Sequence, residues 1–252
     1  MRRYPSSATF VISAALVVLA NACSGSGGSP TPPSSGTTPA LIAGDYSGTI
    51  SDSIAGSGAL GLSVTQSGNK ISGQFADTFS DFPQDNTGSI AGTVTGSSFT
   101  GSMKSILGMC RLSLEGSVSG TTLSGTFSAS SCSYAETGTF SVAIFTPPSI
   151  AGTYSGTEVD AFLGNGTLTA IVTESGSALS GSYSSSFGTS TGSGTVFGQF
   201  VNTETALFAL QPPKGSHCPD VASAAINPPT ISGTFRTHCG PVADIDTFTL
   251  AL

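Results

Sequence analysis

Hydrophobic and polar residues alternate along most of the chain that follows residue 41. In the segment GALGLSVTQ, Leu60, Leu62 and Val64 share one phase, while glycine, serine and threonine occupy the other. A period of two is typical of a β-strand with one face toward a core and one toward water. Gly, Ser and Asn turn sequences separate the alternating segments. The predicted strands of the first half lie near 44–51, 57–66, 70–77, 88–96, 98–105, 110–118, 122–130 and 135–146.

The second half of the chain repeats the first at an offset of 108 residues. The segment LIAGDYSGT at 41–49 returns as SIAGTYSGT at 149–157, so that Tyr46 corresponds to Tyr154. In the middle, TGSIAGTV aligns with TGSGTVFG only after a shift of about four. A repeat of this length is the size of a domain. We therefore predict two domains, 41–146 and 147–252, with a Pro-Pro pair at their boundary.

The connections between predicted strands are short, which favours pairing between sequence neighbours. We predict an all-β fold of two tandem, duplicated, antiparallel up-and-down barrels with about eight strands each. Closure would remove the exposed edges that such strands otherwise present. A membrane-spanning barrel is disfavoured because its strands need about 9–11 residues and an apolar outer face. Here the outward phase is rich in Ser and Thr.

The opening pattern G-x-Y-S-G-T, followed by hairpins of the form L-S-G-x-F/Y, resembles the barrels of the avidin and lipocalin families. The resemblance implies a small closed barrel. Tyr46 and Tyr154 replace the Trp typical of the first strand in those families, and no ligand motif of either family is present. We expect both tyrosines to pack at one end of a barrel.

The first 23 residues, MRRYPSSATFVISAALVVLANAC, have the order of an export signal. Arg2 and Arg3 precede an apolar run from Ala8 to Ala20, which is too short to span a bilayer. The ANA before Cys23 also fits cleavage by an ordinary signal peptidase. We predict a signal peptide at 1–22 and a flexible Gly/Ser/Pro tether within 23–40.

The position of Cys23 resembles the lipobox of bacterial lipoproteins, in which this cysteine becomes the lipidated N-terminus. The family usually has Leu three residues before the cysteine, where this chain has Ala20. The resemblance implies a membrane partner reached through a lipid on Cys23. With Ser24 in the next position, it also implies localisation to the outer membrane or cell surface of a bacterium.

The charge of the chain argues against nucleic acid as a partner. Only 8% of the residues are charged, and the formal net charge of −7 becomes about −9 once Arg2 and Arg3 are removed. The five remaining Lys and Arg residues are scattered. A protein that binds nucleic acid needs a clustered basic surface, so we predict no such partner.

Four cysteines remain after Cys23, two in each repeat. Exported proteins meet oxidising conditions, and each pair brackets a predicted hairpin. We therefore predict disulfides Cys110–Cys132 and Cys218–Cys239. Directly opposed residues of an antiparallel pair lie about 4.5–5.5 Å apart at Cα, within reach of a disulfide.

A zinc site is the alternative for the second pair, because His217 and His238 each precede a cysteine. Adjacent residues of a strand point to opposite faces, which hinders convergence on one ion. The first repeat has Met109 and Ser131 in those positions. The feature shared by the repeats is the cysteine pair, so we predict no metal.

No nucleophile-and-base motif occurs, and we predict neither catalysis nor a cofactor. Paired carboxylates can serve acid-base chemistry. We interpret those of this chain as a solvated barrel rim; they are Glu158 with Asp160 and Asp244 with Asp246. A predicted loop at 78–87 offers oxygen ligands for calcium without the spacing of an EF-hand, namely Asp81, Asp85 and Asn86.

Two functional hypotheses remain open. Glycines on the apolar phase could leave room inside the barrel for a small apolar or glycan-like ligand; they are Gly48, Gly73, Gly92, Gly101 and Gly125. Alternatively, these glycines relieve crowding in a filled barrel, and the protein is a non-catalytic structural or adhesion module that presents loops to a protein or polysaccharide. An internal cavity above about 300 Å³ would favour the ligand carrier.

Overall fold

A computed structural model describes residues 38–80, 85–108, 111–129, 135–213, 219–237 and 245–252. Within these ranges the chain forms sixteen antiparallel β-strands arranged in two closed barrels. The same ranges contain no helix, and hence none long and apolar enough to cross a membrane. The predicted all-β fold of two tandem up-and-down barrels is confirmed.

Barrel 1 comprises the first eight strands, and each one pairs with its neighbour in sequence. Strand β1 also pairs with β8, which closes the barrel. Every predicted strand of this repeat is found, with bounds within two residues of those expected. The strands are β1 (Gly44–Asp52), β2 (Gly56–Ser67), β3 (Lys70–Phe79), β4 (Asn86–Thr95), β5 (Ser98–Ser105), β6 (Arg111–Ser119), β7 (Thr122–Ala129) and β8 (Glu136–Ile144).

Barrel 2 repeats this topology, and β16 pairs with β9 to close it. Its strands are β9 (Gly152–Asp160), β10 (Gly164–Ser175), β11 (Ala178–Phe187), β12 (Ser190–Phe200), β13 (Thr205–Gln211), β14 (Asp220–Asn227), β15 (Thr230–Thr237) and β16 (Ile245–Ala251).

The apolar phase of each strand points into its barrel. Two separate cores result, one around Phe75 and Met103 and one around Leu179 and Phe200. Ser and Thr dominate the opposite phase, and several of them pair across strands on the exposed surface, as Thr65 does with Ser72. An apolar interior with a hydroxyl-rich exterior is the reverse of the lipid-facing arrangement of transmembrane barrels.

Each barrel has two different ends. We call the end that holds the turns after the even-numbered strands the turn end, and the other the loop end. In barrel 1 the turn end contains 68–69, 96–97 and 120–121, and the described residues of the loop end are 53–55, 80, 85, 106–108 and 135. In barrel 2 the turn end contains 176–177, 201–204 and 228–229, and the described residues of the loop end are 161–163, 188–189, 212–213 and 219.

The repeated segment, at 41–49 and again at 149–157, closes the turn end of each barrel. Ile42 is buried there, its backbone N–H donates to Gln66 Oε1 at 2.7 Å, and its carbonyl accepts from the Tyr46 hydroxyl at 3.0 Å. Barrel 2 uses buried Ile150, whose N–H donates to Glu174 Oε1. Tyr46 and Tyr154 are both buried, as expected. Each repeated segment thus supplies a buried isoleucine that covers the end of the barrel, followed by the first strand of that barrel.

The drift within the repeat is about two residues rather than the predicted four. Gly73 pairs with Ile90 in barrel 1, and Gly181 pairs with Val196 in barrel 2, so the offset at this strand is 106. Unequal connections cause the drift. Barrel 1 has the longer connection between its third and fourth strands, and barrel 2 has the longer one between its fourth and fifth, at 201–204.

The connection at 201–204 of barrel 2 contacts barrel 1. The two barrels lie in one compact unit, Thr37–Leu252. Ser47 Oγ, on the outer face of β1, donates to the Val201 carbonyl at 2.7 Å. Asp45 Oδ1 accepts from the Ser177 N–H at 2.8 Å and from the Ser177 hydroxyl at 2.6 Å. Buried Gln199 continues this network, because its Nε2 donates to Ser177 Oγ at 2.6 Å.

A small apolar cluster completes the junction between the barrels. Ala76 of β3 is fully buried with Val201 and Leu207. The close approach depends on Gly61, because a Cβ atom at this position would overlap the carbonyl oxygen of Phe200. Glycine within a strand commonly marks such an approach of another backbone.

We predict that Gly61→Val separates the barrels. The overlap is with backbone, which cannot rotate away, so the free energy of unfolding should fall by about 1–3 kcal/mol. Urea denaturation measures this loss, and small-angle scattering should show a larger radius of gyration. Thr65→Val is the matched control, since Thr65 lies exposed on the same strand. If both variants behave alike, the close approach at Gly61 is not required.

Candidate functional site

The described side chains leave little space inside either barrel. The cavity of barrel 2 is about 30 Å³ and that of barrel 1 about 10 Å³. The larger one lies where Ala170 and Ala222 replace Leu62 and Leu114 of barrel 1. Ligand pockets of proteins begin near 300 Å³. Among the described core residues there is therefore no ligand-sized space, which counts against the first of the two hypotheses that the sequence left open.

The glycines on the apolar phase serve strand packing. A Cβ atom at any of the five positions would overlap a carbonyl oxygen of a neighbouring strand, as at Gly48 with Ser141; the others are Gly73, Gly92, Gly101 and Gly125. Glycine lets adjacent strands coil tightly around a small barrel. The alternative interpretation, relief of crowding in a filled barrel, is the correct one.

Inward-facing carboxyl groups gather at the loop end of barrel 1. Asp77 is 2% exposed, and its Oδ1 has no hydrogen-bond partner. Burial, together with the charges of Asp85, Glu136 and Asp52, raises the pKa of Asp77 well above its ordinary value. Burial and a hydrogen bond with Asp52 raise the pKa of Glu136 to about 7. The cluster therefore retains protons near neutral pH.

The calcium candidates do not form an open set of ligands. Asn86 Oδ1 accepts a hydrogen bond from the Ser105 hydroxyl at 2.6 Å. Asp85 lies close enough to Asp77 to raise its pKa, and Asp81 lies outside the described residues. Across the described ranges, no three His, Cys, Asp or Glu side chains are placed to hold a metal ion.

Barrel 2 has a corresponding carboxyl cluster around Glu158. This residue is 7% exposed, and its Oε2 has no hydrogen-bond partner. Burial and the charges of Asp246, Asp160 and Asp220 raise the pKa of Glu158 to about 7. The interpretation of Glu158 as a solvated rim carboxylate is wrong, because the strand phase that buries Tyr154 also directs Glu158 into the barrel.

Asp160, the partner of Glu158 in the predicted pair, has a structural role. Its Oδ1 accepts hydrogen bonds from the N–H groups of Phe162 and Leu163 at 2.6 and 2.5 Å. Asp246 Oδ1 accepts from the Ala161 N–H at 3.2 Å. Asp52 makes the same turn in barrel 1, with Ile54 and Ala55. Asp244 lies outside the described residues.

The turn held by Asp160 exposes large apolar side chains. Phe162 is 77% and Leu163 56% exposed, and Val159 and Ile245 on the adjoining strands are also exposed. Sequence reasoning missed this surface, because the segment has the length and position of an ordinary turn. The available signal is internal, since barrel 1 has Ile54 and Ala55 where barrel 2 has Phe162 and Leu163.

The cysteine and histidine predictions fall on residues that the structure does not describe. The lipid site, the two disulfides and the alternative zinc ligands therefore remain predictions. The residues are Cys23, Cys110, Cys132, Cys218, Cys239, His217 and His238.

Comparison with known proteins gives structural neighbours of low similarity. No protein-family model and no curated protein sequence matches the chain. A Bacteroides fragilis structure described as an outer membrane protein is 13% identical, covering 84% of this chain and 98% of its own, with a TM-score of 0.28. A mutant of transferrin-binding protein B from Haemophilus parasuis is 10% identical, covering 85% and 78%, with a TM-score of 0.31.

A third neighbour is a Nostoc punctiforme protein of unknown function from the DUF3598 family. It is 10% identical, covering 83% of this chain and 95% of its own, with a TM-score of 0.27. At these TM-scores the neighbours support no argument about the function of this chain.

We predict that Glu158 makes the folded protein less stable as the pH rises from about 4.5 to above 7. Its carboxyl group ionises near its ordinary 4.5 when unfolded and near 7 when folded, so the free energy of unfolding falls as pH rises across this interval. Glu158→Gln removes the contribution of this residue to the fall, while those of Glu136 and Asp77 in barrel 1 remain. After allowance for solvent screening at the barrel end, the variant should exceed the wild type by about 1–2 kcal/mol at pH 8.

Urea denaturation at pH 4 and pH 8 measures this difference, which should nearly vanish at pH 4. Glu115→Gln, at an exposed position of β6, is the matched control and should change neither value. An equal effect of Glu158→Gln at both pH values would contradict the assignment.

Proposed function

We propose that this protein is an exported, lipid-anchored cell-envelope protein whose two filled barrels form a non-catalytic scaffold that presents its loop ends to a binding partner. The filled interior is the observation on which the proposal rests. With cavities of about 30 and 10 Å³, neither barrel can enclose a ligand of ordinary size. Binding then takes place on the outside.

The direction of chain entry supports this arrangement. The described chain enters barrel 1 at the turn end, where the Ala40 N–H donates to the Gly96 carbonyl at 2.7 Å. A tether from Cys23 would therefore attach at this end and leave the loop end of barrel 1 opposite the attachment point. The turn end of barrel 2 packs against barrel 1 through Ser177 and Val201, and so its loop end is also the one left to partners.

We predict that Cys23 is the site of lipid attachment. Cys23→Ala should abolish metabolic labelling with a radioactive fatty acid and release the protein from the membrane fraction, because the remaining ANA sequence still allows cleavage by an ordinary signal peptidase. Ser24→Ala is the control and should keep both the label and the membrane fraction. A wild-type protein that takes up no label and is secreted would refute the anchor.

We also predict the disulfides Cys110–Cys132 and Cys218–Cys239. The described register supports them. Asp220 pairs with Thr237, so a ladder continued by two residues would set position 218 opposite 239. In barrel 1, Ser113 pairs with Ser128, and the same continuation would set position 110 opposite 131, next to Cys132.

Titration of thiols in the denatured mature protein tests this pairing. The four barrel cysteines should be unreactive without reductant and reactive after reduction. Each double Cys→Ser variant should lose about 3 kcal/mol of unfolding free energy, the value expected for loops of some 20 residues. Four reactive thiols before reduction would exclude both bridges.

A further inference from the structure

We propose that the loop end of barrel 2 is a docking surface for a cationic amphipathic segment of a partner protein. The surface, which we call the apolar patch, consists of Val159, Phe162, Leu163 and Ile245. This inference rests on the proposed scaffold function, because it assigns the class of partner that the scaffold would present itself to. It is tested on purified protein, independently of the lipid anchor.

The four side chains are exposed on two paired strands and on the turn that follows one of them. Phe162 is 77%, Leu163 56%, Ile245 51% and Val159 44% exposed. Val159 pairs with Thr247 across β9 and β16, so Ile245, two residues along β16, is its diagonal neighbour on the same outer face. The turn with Phe162 and Leu163 directly follows β9. Contiguous exposed apolar residues on a soluble surface mark an interaction site.

The patch is held in place before any partner arrives. Both carboxylate hydrogen bonds of Asp160 and the Ala161 N–H bond to Asp246 fix the turn backbone. Gly164 completes the turn with a positive φ of 81°, a conformation that other residues rarely adopt. A rigid aromatic anchor binds at lower entropic cost than a mobile one, and aromatic residues dominate the energetics of interfaces.

The duplication provides an internal comparison. At the corresponding positions barrel 1 has Ser51, Ile54, Ala55 and Thr137, of which only Ile54 is an exposed large apolar residue. Both turns have the same hydrogen bonds from their aspartates, to Ile54 and Ala55 in barrel 1. The fold therefore requires the turn but does not require an apolar surface on it.

The electrostatic surroundings select the partner. The described residues at this end include three carboxyl groups besides Glu158 and one guanidinium group; they are Asp160, Asp220, Asp246 and Arg236. The negative field raises the pKa of Glu158, after burial, through three of these charges. A surface complementary to this patch is apolar at its centre and basic around it.

The same charges disfavour two other occupants. A second copy of this chain would bring its own acidic surroundings to the contact, and the formal net charge of the whole chain is −7. An anionic lipid surface would be repelled in the same way. A cationic segment gains from the patch and from its surroundings together.

The experiment uses the purified mature chain and a synthetic amphipathic peptide with leucine on one face and lysine on the other. A matched peptide has glutamate in place of lysine. We expect the lysine peptide to bind at least tenfold more tightly than the glutamate peptide, and its affinity to fall with added salt. Backbone amide shifts in NMR spectra should change at Val159 to Leu163 and at Ile245.

Two matched variants locate the binding. Phe162→Ser should weaken the lysine peptide at least fivefold, while Ile54→Ser, at the same turn position of barrel 1, should leave its affinity unchanged. Both side chains are exposed, so neither variant should impair folding, and urea denaturation verifies this. Equal binding of the two peptides, or equal behaviour of the two variants, would overturn the proposal.

Two further measurements identify a different occupant. A dimer in sedimentation equilibrium that Phe162→Ser abolishes would assign the patch to a second copy of the chain. Binding to phosphatidylcholine vesicles that the same variant abolishes would assign it to lipid. Either result refutes the cationic segment and leaves the anchoring of the protein to be decided by Cys23→Ala.

Discussion

Closure of each sheet on itself is the constraint on which the structure depends. Pairing of β1 with β8 and of β9 with β16 removes the free edges that sixteen Ser- and Thr-rich strands would otherwise expose. A barrel of eight strands is narrow, so its interior is filled by the side chains of its own strands. Closure also explains the glycines, because tightly coiled strands bring neighbouring backbones too close for a Cβ atom.

Because the interior is filled by apolar side chains, the buried polar groups of each barrel lie at its ends. At each turn end, a buried isoleucine covers the core; these residues are Ile42 and Ile150. At each loop end, carboxyl groups enter the barrel and remain partly without hydrogen-bond partners, as Asp77 and Glu158 do. Such groups reduce stability when they ionise, so both loop ends become less favourable to the folded state as the pH rises.

Much of the fold follows from the sequence because strand alternation and the repeat are local signals. Leu60, Leu62 and Val64 define the inward phase without knowledge of any partner, and the offset of Tyr154 from Tyr46 locates the second barrel. The junction does not follow, because it depends on the extra connection at 201–204, where the repeat fails. The burial of Glu158 was also missed, although its phase with Tyr154 contained the information. Exposure of Phe162 depends on three-dimensional neighbours that a turn sequence does not reveal.

The junction also limits how far the architecture can be extended. The contact is heterologous: the turn end of one barrel meets the flank of another, a geometry that could in principle add barrel after barrel into a fibre. The flank of barrel 2 lacks the residues that make this contact in barrel 1, because Thr169 and Thr153 occupy the positions of Gly61 and Asp45. Barrel 1 likewise lacks the longer connection that barrel 2 inserts. The duplication therefore produces one junction whose residues are not repeated elsewhere in the two barrels.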